Sequence, residues 1–247
     1  MKSTERHKLK ENEFAHTVAR TREMVEQRRN ELTMVVVAVV AVAVIAGGYL
    51  AWRTSRDAKA QALLAGALVT TEAPVYTPPP PAPGSAPPVQ PPGTFRTDRE
   101  RLDAALPKLQ AAADAYPDSE AGITARFRLA GVLAELGRYA EAEQRYTEVM
   151  QKAGSRSIYR YTARLGTGEA QLAQKKNDAA LATFKELTAD TNSQLPVDGV
   201  LMQLGRAAEA AGKKDEATRA FTRVIDEFPQ SMYASEAREK LALLKKV

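Results

Sequence analysis

The sequence predicts an all-α protein, in which a solenoid of helical hairpins follows a single transmembrane helix and a proline-rich linker. Three observations support this prediction. Residues 32–52 form an uncharged apolar run, and ten of the fourteen prolines lie between Pro74 and Pro92. From residue 95 onwards the chain is rich in alanine and repeats itself with a period of 37 or 38 residues.

The apolar run of residues 32–52 reads LTMVVVAVVAVAVIAGGYLAW. A helix of this length reaches about 31 Å, which matches the hydrocarbon core of a bilayer. Leu32 begins the run, Arg53 follows it, and Tyr49 and Trp52 lie where an interfacial aromatic belt would be. We therefore expect a membrane anchor whose ends are marked by these four residues.

The apolar run is also compatible with a buried core helix or a cleaved signal peptide. A core helix rarely has so long a stretch without charge. A signal peptide would find small side chains for cleavage at residues 46–48. The segment before the run is longer and more mixed in charge than the short basic region that opens a signal peptide, which favours an uncleaved anchor.

Residues 1–31 form a polar tail with eight basic and six acidic residues. Its apolar residues recur at roughly helical intervals, so the tail is either an amphipathic helix beside the membrane or a solvated segment. The basic residues in the twenty positions after the run are Arg53, Arg56 and Lys59. The positive-inside rule then places the N-terminus in the cytoplasm and the rest of the chain on the other side.

We predict a short helical stalk over residues 53–73 and a linker over residues 74–94. Because proline fixes φ and lacks a backbone donor, the linker favours polyproline II and could hold the following domain up to about 60 Å from its anchor. Its PxxP patterns would also suit a ligand of a partner domain, although a spacer is the commoner role. A linker of this length could also fold back over the binding surface of the domain.

The repeated part of the chain aligns on Ala142, Ala180 and Ala217. An aromatic residue stands four positions after each alanine, and a small residue stands twelve positions before it. The resulting pairs are Ala130 with Tyr146, Gly168 with Phe184, and Gly205 with Phe221. Repeats of this size indicate stacked helical hairpins, in which small residues let two antiparallel helices approach and the aromatic ring fills the space beside them.

These copies resemble tetratricopeptide repeats over residues 95–247. Aromatic-Pro-x-Ser junctions end two copies, at residues 116–119 and 228–231. The turn between the two helices of each copy has its marker residue at Gly137, Lys175 and Gly212. The first junction implies an earlier, degenerate repeat, and a closing helix is expected after the second one.

The copies depart from the family's pattern in two ways. Their period exceeds the usual 34 residues, which indicates longer turns near residues 154–155 and 192–196. In the middle copy, Thr167 and Gln171 stand where apolar residues are expected. Neither departure changes the predicted fold.

The layout of a basic tail, one anchor and a repeat domain resembles that of the ancillary SecYEG translocon subunit family. The likeness lies in the architecture and the repeat type, without a diagnostic motif. It implies a bacterial inner-membrane protein whose C-terminal domain is periplasmic and works with the translocon or with periplasmic chaperones.

The motifs of catalysis and cofactor binding are missing from this sequence. The chain has no cysteine, both histidines lie within residues 1–31, and no HExxH, GxSxG or Walker pattern occurs. Residues 94–247 hold 24 basic and 22 acidic residues, so the repeats offer no marked positive charge to nucleic acid. We expect a protein without enzyme activity, metal, cofactor or nucleic-acid partner.

In stacked hairpins the first helices line one surface, and the sequence predicts a peptide-binding groove there. The candidate residues recur once per repeat and continue along the same helix faces: Phe127, Gly131, Leu165, Glu169, Leu172, Met202, Arg206 and Glu209. For the apolar members the alternative is packing between helices. A second candidate is the basic row Arg156, Arg160 and Arg164, which would suit an acidic partner or lipid headgroups, although such a row is more commonly a solvated helix face.

The sequence as a whole predicts a non-enzymatic, membrane-anchored scaffold that binds a protein or peptide partner in the cell envelope. The alternative is a structural organiser that assembles into a homo-oligomer through its repeats or its closing helix. Exposure of Phe127, Leu165 and Met202 would favour the first function, and their burial between copies of the chain would favour the second.

Overall fold

The computed structural model of the protein describes residues 28–78, 89–155 and 157–246. Its helices are α1 (Arg29–Thr71), α2 (Asp98–Ala115), α3 (Glu120–Glu135), α4 (Tyr139–Lys152), α5 (Ile158–Ala173), α6 (Asn177–Ala189), α7 (Val197–Ala210), α8 (Lys214–Glu227) and α9 (Ala234–Lys246). The chain divides into two compact units, and the division falls between Ser55 and Arg56, inside α1.

The described part of the first unit is the beginning of α1. Its large apolar side chains are uncovered, with Met34 69% and Ile45 71% exposed. The rings of Tyr49 and Trp52 lie 6.0 Å apart between centroids. By its length and composition α1 could cross a membrane. The side chain of Leu32 and the predicted amphipathic helix of the tail lie outside the described residues.

The second unit opens with the last part of α1, residues 56–71, which packs against α2. Ala60 and Ala67 are almost fully buried, and Ala67 belongs to the same apolar cluster as Leu109 of α2. Leu64 packs beside a second, smaller cluster that includes α2 residues. Because alanine has a short side chain, the two helices can approach closely along this line.

A cation–π contact and a hydrogen bond show the relative direction of the two helices. The guanidinium carbon of Arg56 lies 5.6 Å from the centroid of the Tyr116 ring, just past the end of α2. Near the other end, Lys108 Nζ donates a hydrogen bond of 2.7 Å to Thr70 Oγ1. The contacts run in opposite order along the two helices, so residues 56–71 and α2 form an antiparallel hairpin.

The repeat unit therefore begins at Arg56, whereas the sequence pattern indicated a beginning at residue 95. The residues predicted to form a stalk supply the missing first helix of the degenerate first repeat. Burying their alanines and Leu64 against the apolar side chains of α2 removes apolar surface from water, which stabilises the pair.

The two ends of the proline-rich segment lie together, which differs from the spacer expected from its composition. The backbone N–H of Tyr76 donates to the Phe95 carbonyl at 2.7 Å, and the N–H of Phe95 donates to the Pro74 carbonyl at 3.1 Å. Residues 79–88 lie outside the described residues. The segment is thus an insertion between the two helices of the first hairpin. It does not act as an extended spacer between the stalk and the repeats.

The remaining helices form hairpins α3/α4, α5/α6 and α7/α8, followed by the closing helix α9. Each helix from α2 onwards contacts the next, and the first helices of neighbouring hairpins also meet, α3 with α5 and α5 with α7. The β-bridge between Val75 and Phe95 is the only β pairing in the described residues. The predicted all-α solenoid of helical hairpins is confirmed.

Close packing of glycine against an aromatic ring joins the helices of the third and fourth hairpins. A Cβ atom added at Gly168 would lie 2.6 Å from Cε1 of Phe184, and one at Gly205 would collide with Phe221. Both rings are fully buried. Two of the three pairs that the repeat alignment identified are therefore in direct contact.

The turns inside the hairpins share one backbone conformation at the predicted marker residues. Gly137, Lys175 and Gly212 have φ of 76°, 60° and 72°. In each turn the residue after the marker donates its N–H to a carbonyl of the preceding helix, as from Arg138 to Leu133 at 2.8 Å. This is the Schellman arrangement that ends a helix, and glycine suits it because it lacks a Cβ.

The two polar departures in the middle repeat have partners inside the fold. Thr167 Oγ1 donates to the Ala163 carbonyl at 2.9 Å. Gln171 Nε2 donates to Glu143 of α4 at 2.9 Å, and the amide oxygen of Gln171 accepts from Thr183 Oγ1 of α6 at 2.9 Å. Polar residues are tolerated here because each of them is hydrogen-bonded.

Arg126 is the most deeply buried charged side chain described, with 4% exposed. It donates to the Ala113 carbonyl at 3.1 Å, close to the end of α2, and its Nε lies 3.0 Å from a carboxylate oxygen of Glu148 on α4. One guanidinium thus joins α2, α3 and α4 and satisfies a carbonyl that the helix itself leaves open.

The glycine–aromatic contact generates a prediction with a matched control. Gly168→Ala should lower the free energy of unfolding by about 1–3 kcal/mol, because the new methyl group meets the Phe184 ring. Gly131→Ala should raise it by about 0.5–1 kcal/mol, because a Cβ there would meet only Tyr146 Oη at 3.9 Å and alanine favours the helix. Urea denaturation followed by circular dichroism measures both, and effects of equal sign would contradict the packing.

The first hairpin generates a second prediction, on fragment stability. A fragment that begins at residue 56 should be more stable by several kcal/mol than one that begins at residue 94, because the shorter fragment uncovers the α2 surface that Leu64 and Ala67 bury. Urea denaturation compares the two. Equal free energies of unfolding would show that residues 56–78 behave as an independent stalk.

Candidate protein-binding surface

The first helices of the last three hairpins and the closing helix present a shared surface, which we call the inner face and define by α3, α5, α7 and α9. Neighbouring members are joined by side chains. Gln203 of α7 donates to Glu169 of α5 at 3.0 Å, and Arg206 of α7 donates to Glu236 of α9 at 2.7 Å. These helices carry the groove residues that the sequence predicted, and the structure places them in four different environments.

Phe127 and Gly131 lie at the α3 end of the inner face, in an aromatic cluster. The Phe127 ring is half-buried, with its centroid 5.8 Å from that of Tyr146 and 5.7 Å from that of Tyr159. Gly131 is half-buried beside the Tyr146 hydroxyl. Burial raises the pKa of Tyr146 to about 12, helped by the negative charges of Glu169 and Glu135, so this hydroxyl stays protonated at neutral pH.

Leu165 and Glu169 lie at the centre of the inner face and line a pocket of about 300 Å³. We call it the anchor pocket. Its lining continues through the turn before α7, the first residues of α7, and the loop before α9: Leu195, Pro196, Asp198, Gly199, Val200, Gln203, Met232 and Tyr233. Met232 stands at its edge with 84% of its surface exposed.

Met202 is fully buried, so the structure corrects its prediction as a groove residue. It belongs to the apolar cluster of the third and fourth hairpins, which also holds Phe184 and Phe221. Three consecutive residues of α7, from Val200 to Met202, are buried, so the helix is covered on more than one side at this level. The next residue, Gln203, reaches the pocket in its place. For Met202 the alternative of core packing holds.

Leu172 is half-buried against the same cluster and contributes little open surface. Arg206 and Glu209 are half-buried and bound by the closing helix. Arg206 makes a two-pronged contact with Glu236, both carboxylate oxygens lying 2.7 Å from one guanidinium nitrogen, and Lys240 donates to Glu209 at 2.8 Å. This part of the predicted groove is therefore occupied by ion pairs within the chain.

Glu169 is the carboxylate of the predicted set that stays open. It keeps solvent-exposed surface at the pocket mouth, yet enough protein surrounds its carboxylate for burial to raise its pKa. The hydrogen bond from Gln203 and the charge of Arg206 lower the pKa and only partly offset the burial. Asp198, across the pocket, accepts a hydrogen bond of 2.6 Å from the Ser231 hydroxyl.

The basic row on α5 is engaged inside the fold. Arg160 donates to the Met150 carbonyl at 2.7 Å, near the end of α4, and Arg164 lies 4.0 Å from Asp190. Arg156 lies outside the described residues. In the described part of the chain, no group of three or more histidine, cysteine or acidic residues is placed to hold a metal ion.

The sequence pattern missed Asp198, Gln203, Met232 and Tyr233. Three of them lie in or beside the loops that separate repeats, where no helical period applies. Gln203 could have been found from the alignment, since it occupies the position after Met202 and faces Glu169 of the previous repeat across the inner face.

Comparisons with known proteins agree with the fold. Models of the tetratricopeptide repeat match residues 97–158 and 200–231. Two crystal structures of nearly identical TPR-like repeats of a putative kinesin light chain from Podosopora anserina are similar to the chain, each with 15% identity and a TM-score of 0.51. The matches cover 60% of this chain and 78% and 79% of theirs. No curated protein matches the chain.

At this identity the solved structures bear on the fold alone, and the repeat models identify its unit. The chain therefore carries tetratricopeptide repeats, folded as a TPR-like solenoid of helical hairpins.

Proposed function

We propose that the protein is a non-enzymatic scaffold, held at a membrane by the apolar part of α1, that binds a protein or peptide partner on the inner face of its repeats. Repeats of this kind form extended binding surfaces. The observation that carries the proposal is the anchor pocket, which is apolar inside, polar at its rim and open on the face where Leu165 and Glu169 were expected to bind.

The membrane anchor is supported by the uncovered apolar side chains of residues 34–52. Only residues 53–55 separate Trp52 from the start of the repeat unit. The prolines that suggested a long spacer therefore lie inside the repeat unit and not between it and the apolar run.

The orientation and the cell envelope belong to the same proposal. Eight basic residues precede the apolar run and three follow closely, which supports a cytoplasmic N-terminus and a periplasmic repeat unit at a bacterial inner membrane. The layout further suggests the translocon or a periplasmic chaperone as the partner. A self-assembling organiser is the competing function, and the partly exposed Leu243 on the closing helix favours it.

The uncleaved anchor can be tested by peptide mass spectrometry. We expect the protein in the membrane fraction to retain peptides from residues 1–31, because an anchor keeps its N-terminal tail and a signal peptide does not. An antibody against a C-terminal tag controls for total protein. Loss of these peptides, with the repeats released into the soluble fraction, would show that residues 32–52 are cleaved.

The binding surface can be tested by photo-crosslinking in cells, with a photoreactive amino acid at Leu165. We expect discrete adducts with another protein, identified by mass spectrometry, because this side chain lines the open pocket. The matched control is Glu186, an exposed residue of α6 on a second helix of a hairpin, which should give no such adduct.

The same experiment separates the two functions. Adducts of the chain with itself at Leu165 would support the self-assembling organiser. Adducts of equal yield at Leu165 and Glu186, or none at either position, would contradict binding on the inner face.

A further inference from the structure

The anchor pocket is a small hollow. Its volume of about 300 Å³ is at the lower end of the range for ligand pockets. Leu195 and Val200 are buried in its wall, and Leu165 is partly buried. A large apolar side chain entering here would leave water on contact with three apolar residues, which is the usual source of anchor energy in an interface.

Met232 adds exposed apolar surface at the rim of the pocket, where an incoming apolar side chain would contact it. Few large apolar side chains in the repeat unit are as exposed, and Met232 stands at the rim, beside Tyr233. Methionine is flexible and polarizable, so it adapts to differently shaped partners. An exposed apolar side chain at the edge of an apolar hollow is a feature of interaction sites.

The rim of the pocket carries negative charge that the fold does not neutralise. Glu169 stands on the α5 side and Asp198 on the α7 side, and they accept hydrogen bonds from the neutral side chains of Gln203 and Ser231. Among the ion pairs of the described residues, none within 4.0 Å involves either carboxylate. Arg206, whose charge acts on Glu169, is itself held by Glu236.

We propose that the anchor pocket receives one large apolar side chain of the partner, and that Glu169 and Asp198 bind a lysine or arginine next to it in the partner's sequence. The proposal rests on the proposed function and names the chemistry of the partner. A cation beside these carboxylates offsets part of their negative charge, and arginine also offers paired donors that match a carboxylate.

The test uses the full chain in lipid nanodiscs and a random twelve-residue peptide library displayed on phage, with empty nanodiscs to remove non-specific binders. The native protein should enrich peptides in which a large apolar residue adjoins lysine or arginine. Glu169→Gln combined with Asp198→Asn should keep the apolar preference and lose the basic one, with affinity for selected peptides reduced about tenfold, equivalent to about 1.4 kcal/mol.

Further variants guard against a loss of folding. Met232→Ser should weaken binding of the selected peptides, and because Met232 is exposed its replacement leaves the core intact. The matched control is Val69→Ser, at an apolar residue that is 73% exposed on the first hairpin and far along the chain from the pocket. Asp226→Asn, at an exposed carboxylate of α8, controls for the change of charge.

The outcomes separate this inference from the proposed function. Selected peptides without a basic preference, or an unchanged preference in the double carboxylate variant, would overturn the inference, while a partner crosslinked at Leu165 would still support the proposed function. Selection of no peptides at all would also overturn it. A last competitor is a peptide copied from residues 241–247 of this chain, which contains Leu243, Leu244 and two lysines. If it competes with the selected peptides, the partner is a second copy of the chain, and the inference of a different partner protein is overturned.

Discussion

The close contact between a glycine of the first helix and an aromatic ring of the second sets the geometry of the hairpins. The ring of Phe184 fills the space that a side chain at residue 168 would need, and Phe221 does the same at residue 205. These contacts fix the separation and the register of the two helices. Because neighbouring hairpins repeat them, equivalent positions of the first helices line up, and the inner face is a consequence of this alignment.

The first hairpin reaches the same arrangement with different residues. It uses Ala60 and Ala67 on one helix and leucines on the other, and no large ring lies between them among the described residues. Its first helix follows the apolar run after only a few residues. Residues 56–71 therefore supply the first layer of the repeat core.

The sequence predicted the parts of the fold that depend on local patterns. The repeat period located the glycine–aromatic pairs and the turn residues, including Lys175, because both are set within a single hairpin. The repeat period did not identify residues 56–71 as part of the repeats, because a proline-rich insertion separates them from α2 and interrupts the period. It failed for Met202 because helical spacing gives the face of a helix but not how many neighbours cover it. Asp198 and Met232 join the pocket only through the tertiary fold.

The anchor pocket lies where the repeats depart from their regular length. The turn before α7 is longer than the usual repeat allows, as the period of 37 predicted, and it supplies Leu195 and Pro196 to the pocket wall. At the previous junction, where the period of 38 also indicates a long turn, the rings of Phe127, Tyr146 and Tyr159 fill the space themselves. At the junction before α7, the long turn adds Leu195 and Pro196 as a wall, and the side chains around them leave the anchor pocket open. The two junctions with long turns therefore differ in chemistry, because aromatic rings close one of them and the other keeps an open pocket with an acidic rim.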